Sequence, residues 1–218
     1  MHLVVASAFL PELLPYAPDA EGRIDLDGTP ARGVAVGIGL VAAAIGAAAL
    51  ARTKPPLVVF SGTCGAYPGS LAILDVVVGT SLELVLPTVV EGRARVPDAF
   101  APSLAAPRGA VDALVRAGAR EVRVATTPAI TIDDNLAARV AIASGCGAEH
   151  LEAYSVAAAC ASFDVPFVAV LGVANRVGAR ANVEWRENHE AASARAAAVV
   201  RAAARSLAEL STTLRTDR

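Results

Sequence analysis

Residues able to do chemistry stand where apolar runs of this sequence stop. The run at 2–6 is followed by Ser7 and Glu12, and the run at 57–61 opens into "SGTCGAYPGS". The run at 166–174 ends in "ANRVGARANVEW", which holds Asn175, Arg176, Arg180 and Trp185. Ahead of an Ala-rich stretch, "GAEHLEAY" presents Glu152. A carboxylate can take a proton or accept from hydroxyls, and glycines let a backbone approach a ligand closely. An asparagine amide carries one NH2 donor and one carbonyl acceptor and never ionises, which suits a ligand that offers both an acceptor and a donor. An arginine fork pairs with a carboxylate, and a tryptophan offers a flat apolar wall.

Such residues need a scaffold that brings distant segments together. Short β-branched or apolar runs predict strands at 2–6, 34–36, 57–61, 75–78, 122–126 and 166–174. Longer Ala-rich stretches predict helices at 40–51, 108–118, 134–145, 151–163 and 188–210. Their alternation predicts an α/β fold with helices on both faces of a parallel or mixed sheet. In such folds ligands collect at the carboxyl ends of strands, where the polar residues above are found. The segment 87–108 is Pro-rich without a period and reads as a loop, a lid or an interface segment.

The bulk properties exclude several classes. The chain has 218 residues, 55% hydrophobic and 18% charged, with a net charge of -2. That is enough for one domain over 1–218 with a sizeable core, and too apolar for disorder. Acids and bases are scattered, so neither a nucleic-acid groove nor a polybasic membrane anchor is expected. The three cysteines, Cys64, Cys146 and Cys160, have no metal-ligand spacing and are odd in number. No metal site or disulfide framework is expected, and a reducing cytoplasm fits. "MHLVVASAFL" lacks the basic start and long apolar run of a signal peptide. The apolar stretch 33–51 is Ala and Gly with a Gly-Ile-Gly break, which predicts strand, turn and buried helix rather than a membrane span.

Several segments together, in order, resemble the nucleoside phosphorylase and nucleosidase superfamily. They are Glu12 after the first strand, "GIGLVAAA" (37–44), "GTCGAYPGSLAILDVVVG" (62–79) and "EHLEAYSVAAACASFDVPFVAVLGVANRVG" (149–178). "GAYPGS" and "NRVGAR…W" are most similar to the futalosine hydrolases of menaquinone biosynthesis. The resemblance implies a three-layer α/β/α sandwich with a mixed central sheet. It implies cleavage of the N-glycosidic bond between a purine and a ribose-like sugar, here futalosine, releasing hypoxanthine, with no cofactor. It implies homodimers or larger assemblies in which a neighbour can close the site. Glu152 then matches the glutamate that holds the 2′- and 3′-hydroxyls, with Leu151 in place of the usual Met covering the sugar. Glu12 matches the glutamate that prepares water. Thr63, Cys64 and Gly65 lie beside the sugar or base, and Gly37 and Gly39 beside the nucleophile. Asn175 stands where relatives have Asp or Asn. Its NH2 can donate to N7 or O6 of a 6-oxopurine, which tilts the reading from adenine toward hypoxanthine. Arg180 and Trp185 would hold the substrate's benzoate end.

Departures from the family's patterns narrow this further. "GIGLVAAA" lacks the Lys-Val-Asn of many methylthioadenosine nucleosidases, and "TIDDN" (131–135) lacks a base-stacking Phe. Asp133 or Asp134 would either take over part of that loop's contact or cap the helix that follows. No Gly-x-Pro-x-Arg phosphate pattern stands near the start, which favours water as nucleophile. The alternatives are a methylthioadenosine/S-adenosylhomocysteine nucleosidase, a purine-nucleoside phosphorylase, or a noncatalytic nucleoside-binding protein. A dinucleotide enzyme fits poorly, since no GxGxxG follows a strand.

Overall fold

The computed structural model describes residues 3–69, 71–98 and 102–216. His2 of the first expected strand, Ser70 of "GAYPGS" and 99–101 of the Pro-rich segment lie outside them. Two runs with no charged interior, β4 (Val58–Ala66) and β9 (Phe167–Arg176), form the spine of one sheet. They pair in parallel from Val58 with Phe167 to Ala66 with Arg176. Only Arg176 at the end of β9 is exposed, as expected of strands covered on both faces.

The remaining strands are β1 (Leu3–Ser7), β2 (Arg23–Leu26), β3 (Thr29–Ala35), β5 (Val76–Leu84), β6 (Ser103–Ala105), β7 (Arg120–Thr126) and β8 (Ala148–His150). On one side β2, β3 and β1 lead in to β4. The pairings then close a ring through β4, β9, β5, β7, β8 and back to β4. β1–β3, β1–β4, β4–β9, β5–β7 and β7–β8 are parallel, whereas β2–β3, β4–β8, β5–β6 and β5–β9 are antiparallel. The sheet is therefore mixed.

The helices are α1 (Gly39–Ala51), α2 (Pro87–Val90), α3 (Arg108–Arg116), α4 (Asp134–Ser144), α5 (Ala153–Ala161) and α6 (Ala181–Thr216). Alternate strand residues face opposite sides. Val5, Val59, Val168 and Val170 pack with residues of α3 and α6. Val4, Val58, Phe60, Ala169 and Leu171 pack with residues of α1 and α5. This is the three-layer α/β/α arrangement. Among the described residues no helix is long and apolar enough to cross a membrane. The stretch 33–51 instead ends β3, turns, and forms the 13-residue α1.

Several elements differ from expectation. The segment 87–108 is not loop throughout, since it holds α2 and β6. β5 runs to Leu84 rather than stopping at 78. Gly79, Thr80 and Ser81 break its apolar pattern, and its register with β7 shifts between Gly79 and Ser81. Helix α6 begins at Ala181 rather than 188, so Trp185 sits in a helix and not in a loop.

Candidate active site

The bulge between Cys64 and Gly65 lines a cavity of about 340 Å³ at the carboxyl ends of β4 and β9. Glu12, Thr63, Cys64, Gly65, Leu151, Glu152, Asn175 and Trp185 all line it. So do Phe9, Ile38, Ile130, Glu149, His150 and Asn182, which were not singled out from the sequence. Arg180 is not among the lining residues. Its Nε lies 3.4 Å from Glu184 Oε1, and its side chain is exposed. Arg176 likewise pairs with Glu184, through Nη2 at 2.5 Å. That guanidinium holds the Glu184 carboxyl down to about 2.

Glu12 comes from a 3-10 helix, Leu10–Tyr16, that Pro11 starts immediately after β1. Its Oε1 accepts from the Thr63 backbone N–H at 2.9 Å and the Thr63 hydroxyl at 3.0 Å. Its Oε2 is buried with no partner among the described residues. Burial pushes the carboxyl up to about 7, opposed by the Thr63 hydrogen bonds and aided by the negative charge of Glu152. Trp185 Nε1 donates to the Thr63 hydroxyl at 3.1 Å, so Trp185, Thr63 and Glu12 form one chain of contacts. A Cβ on Gly62 would stand 2.7 Å from Glu12 Oε2, so only glycine leaves the carboxylate its place.

Glu152 precedes α5 and is buried. Its Oε1 accepts from the Gly39 backbone N–H at 2.7 Å, which ties it to the turn that opens α1. His150 Nδ1 lies 3.1 Å from Glu152 Oε2. The same nitrogen accepts from the backbone N–H groups of Glu152 at 2.9 Å and Ala153 at 3.1 Å. A ring nitrogen that receives two amide protons is carrying its lone pair, and burial lowers the His150 pKa. The contact is therefore not an ion pair. His150 is neutral, edge-on to the Phe60 ring at 5.3 Å.

Asn175 is on β9, beside Gly65 of β4. A Cβ on Gly65 would meet Asn175 Nδ2 at 2.8 Å, so the amide lies directly over that glycine. One amide proton goes to the Arg176 carbonyl at 2.9 Å. This leaves the second N–H and the amide oxygen for a ligand. Asp133 caps α4 by accepting from Leu136 N–H at 2.6 Å, and Asp134 accepts from Ala179 N–H at 2.8 Å. Both side chains are thus engaged in holding backbone.

The signal for Glu149 and His150 was present in "GAEHLEAY", but β8 is three residues long and shows no alternation to reveal which side chains face inward. Phe9, Ile38 and Ile130 come from turns whose apolar residues carry no chemical signature.

The family described as Phosphorylase superfamily matches residues 21–205. No curated protein sequence gives a significant match. Among solved structures, a 5′-methylthioadenosine/S-adenosylhomocysteine nucleosidase from Colwellia psychrerythraea, in complex with adenine, is 21% identical with a TM-score of 0.83, covering 95% of this chain and 96% of its own. The nucleosidase of that name from Neisseria meningitidis, in complex with methylthio-immucillin-A, is 22% identical with a TM-score of 0.80, covering 93% and 97%. Futalosine hydrolase of Helicobacter pylori is 16% identical with a TM-score of 0.80, again covering 93% and 97%. At these identities the likeness is one of fold, whereas the family match spans most of the sequence: the chain belongs to the Phosphorylase superfamily.

Proposed function

We propose that this protein is a nucleosidase that uses water to cleave the N-glycosidic bond of a hypoxanthine-bearing nucleoside, futalosine, in menaquinone biosynthesis. The observation that carries the proposal is Glu12. It is a buried carboxyl raised to about 7, with one unpartnered oxygen, lining the same cavity as Glu152 and Asn175. A carboxyl poised near neutral pH suits a general base.

In this reading Glu152 accepts from the 2′- and 3′-hydroxyls and Leu151 covers the sugar. Glu12 takes a proton from water as the water oxygen bonds to the anomeric carbon. The electron pair of the breaking C–N bond passes to the purine. The Asn175 amide donates to N7 or O6 as charge grows there, and the base picks up its proton from solvent. Trp185 holds Thr63, and through it Glu12. Arg180 and Arg176 stand with Glu184 outside the cavity, and any hold on a carboxylated tail would be made at its rim. Chromatography of the base released from futalosine, inosine and methylthioadenosine tests the substrate. Hypoxanthine from futalosine supports the proposal, and adenine as the sole product sinks it. The adenine-directed nucleosidase is the second reading, favoured by the Asn175 oxygen, which can accept from an amino group.

Gly62→Ala is expected to lower kcat about a hundredfold by displacing Glu12, since misplacing a catalytic group by an ångström has that effect. An unchanged kcat in a variant with unchanged circular dichroism would contradict this placement of Glu12.

A homo-oligomer is part of the proposal. Leu10, Ile38, Val41, Ile45 and Ile130 are exposed large apolar residues, and Ile38 and Ile130 line the cavity itself. Exposed large apolar residues that include two of the cavity's own lining favour a protein partner, and a second copy would close the site. Sedimentation should show a dimer or larger, and a monomer at micromolar concentration would contradict it. A cytoplasmic location is supported by three free, buried cysteines.

A further inference from the structure

The single tryptophan of the chain, Trp185, turns its indole N–H onto a hydroxyl. Nε1 donates to the Thr63 hydroxyl oxygen at 3.1 Å. That oxygen stands 3.0 Å from Glu12 Oε1, which also receives the Thr63 backbone N–H at 2.9 Å. One turn further along α6, the His189 ring is stacked on the indole, with centroids 4.3 Å apart and planes 17° apart. His189 Nδ1 lies 3.1 Å from the Trp185 carbonyl.

The chemistry of the three groups gives the chain of contacts one direction. An indole N–H can only donate, and an ionised carboxylate can only accept. The hydroxyl between them has one proton and two lone pairs. With Trp185 on a lone pair, the proton goes to Glu12. Oε1 then holds two donors, whereas no described residue donates to Oε2. A hydroxyl that accepts as well as donates is polarised and holds its own acceptor more strongly. A phenylalanine in place of Trp185 would keep an apolar ring there but not this polarity.

We propose that Trp185 is a positioning residue for Glu12: its N–H turns the Thr63 proton onto Oε1, favours the ionised carboxylate, and leaves Oε2 to take the proton from water. This rests on the reading of Glu12 as the base. As water adds to the anomeric carbon its proton passes to Oε2. The Thr63 proton stays on Thr63, so no proton travels along the chain. The other groups facing Glu12 do not supply this hold. Glu152 is a like charge that raises the Glu12 carboxyl, and burial keeps Tyr16 and Cys64 protonated. The titratable group against the indole is His189.

The test follows Glu12 in the full-length protein by its infrared carbonyl band, identified as the band that Glu12→Gln removes, beside the pH profile of kcat/KM on futalosine. In Trp185→Phe the midpoint should rise by at least about half a pH unit, because a hydrogen bond to the charged form is weakened. The loss in kcat/KM should then be about threefold greater at about pH 6 than at about pH 9. Thr63→Val keeps the backbone N–H and should raise the midpoint further, and adding Trp185→Phe to it should move nothing more. His189→Phe, which keeps a ring on the indole without its charge, should leave the midpoint in place. An unmoved midpoint in Trp185→Phe overturns the proposal, as does an equal loss at every pH, the result expected of a residue that only packs. So does a full Trp185→Phe shift in the Thr63→Val background, or a shift of the same size in His189→Phe. A midpoint that moves as expected in protein that cleaves no futalosine would remove the nucleosidase reading and leave the Trp185 hold on Glu12. Cleavage with an acid limb that Glu12→Gln abolishes and Trp185→Phe does not move would do the reverse.

Discussion

Glu12→Gln is expected to lower kcat about a thousandfold, the range over which a positioned general base acts. The isostere keeps the Thr63 contacts but cannot take a proton from water. Wild-type kcat/KM should fall as pH drops through about 7, because below that value the raised carboxyl is protonated. In Glu12→Gln this acid limb should vanish from the residual activity. Stability should move the other way. A carboxyl whose folded pKa is raised binds more protons folded than unfolded between its ordinary range and about 7, so stability falls with rising pH across that window. The shift corresponds to on the order of 3 kcal/mol above pH 7, which Gln does not forfeit. Thermal melts at pH 8 should therefore show Glu12→Gln more stable than wild type. A variant with wild-type turnover, or an acid limb that survives the substitution, would remove Glu12 from the reaction.

Glu152→Gln is expected to lower kcat/KM at least about a hundredfold, the loss of charge-assisted hydrogen bonds to two hydroxyls. A substrate lacking the 2′-hydroxyl should lose most of the same increment in wild type and little more in the variant. The non-additivity identifies the contact. The Glu152 charge also helps raise Glu12, so its removal should shift the acid limb of kcat/KM to lower pH. Additive effects of the variant and the deoxy substrate, with no shift of the limb, would leave Glu152 a purely structural carboxylate tied to Gly39.

The main frame was legible in the sequence because the elements that carry it are long and strongly patterned. β9, α1 and α4 fall close to the expected runs, whereas β4 runs on to Ala66 rather than stopping at 61 and so carries Thr63, Cys64 and Gly65 within the strand; the polar residues after β1 and at the ends of β4 and β9 do converge on one cavity. What was missed is short or interrupted. β2, β6 and β8 have four, three and three residues, too few for a period to emerge. Gly178 and two arginines around the start of α6 resemble a loop, yet Glu184 in its first turn gathers both arginines and fixes the helix start. Arg180 is paired with Glu184 and does not line the cavity, whereas Trp185 does. Glu149 lies three residues before Glu152 and could be located only by its pairing with Gly65, a contact between segments more than eighty residues apart.

The most direct test of the central claim is the origin of the oxygen in the sugar product. Purified protein would be incubated with futalosine in 18O-labelled water, with and without phosphate, and both products identified by mass. The expected result is free hypoxanthine and a sugar carrying one 18O at the anomeric position, at the same rate with and without phosphate. A sugar phosphate formed only when phosphate is added, or no cleavage by protein that still binds the base, would contradict it.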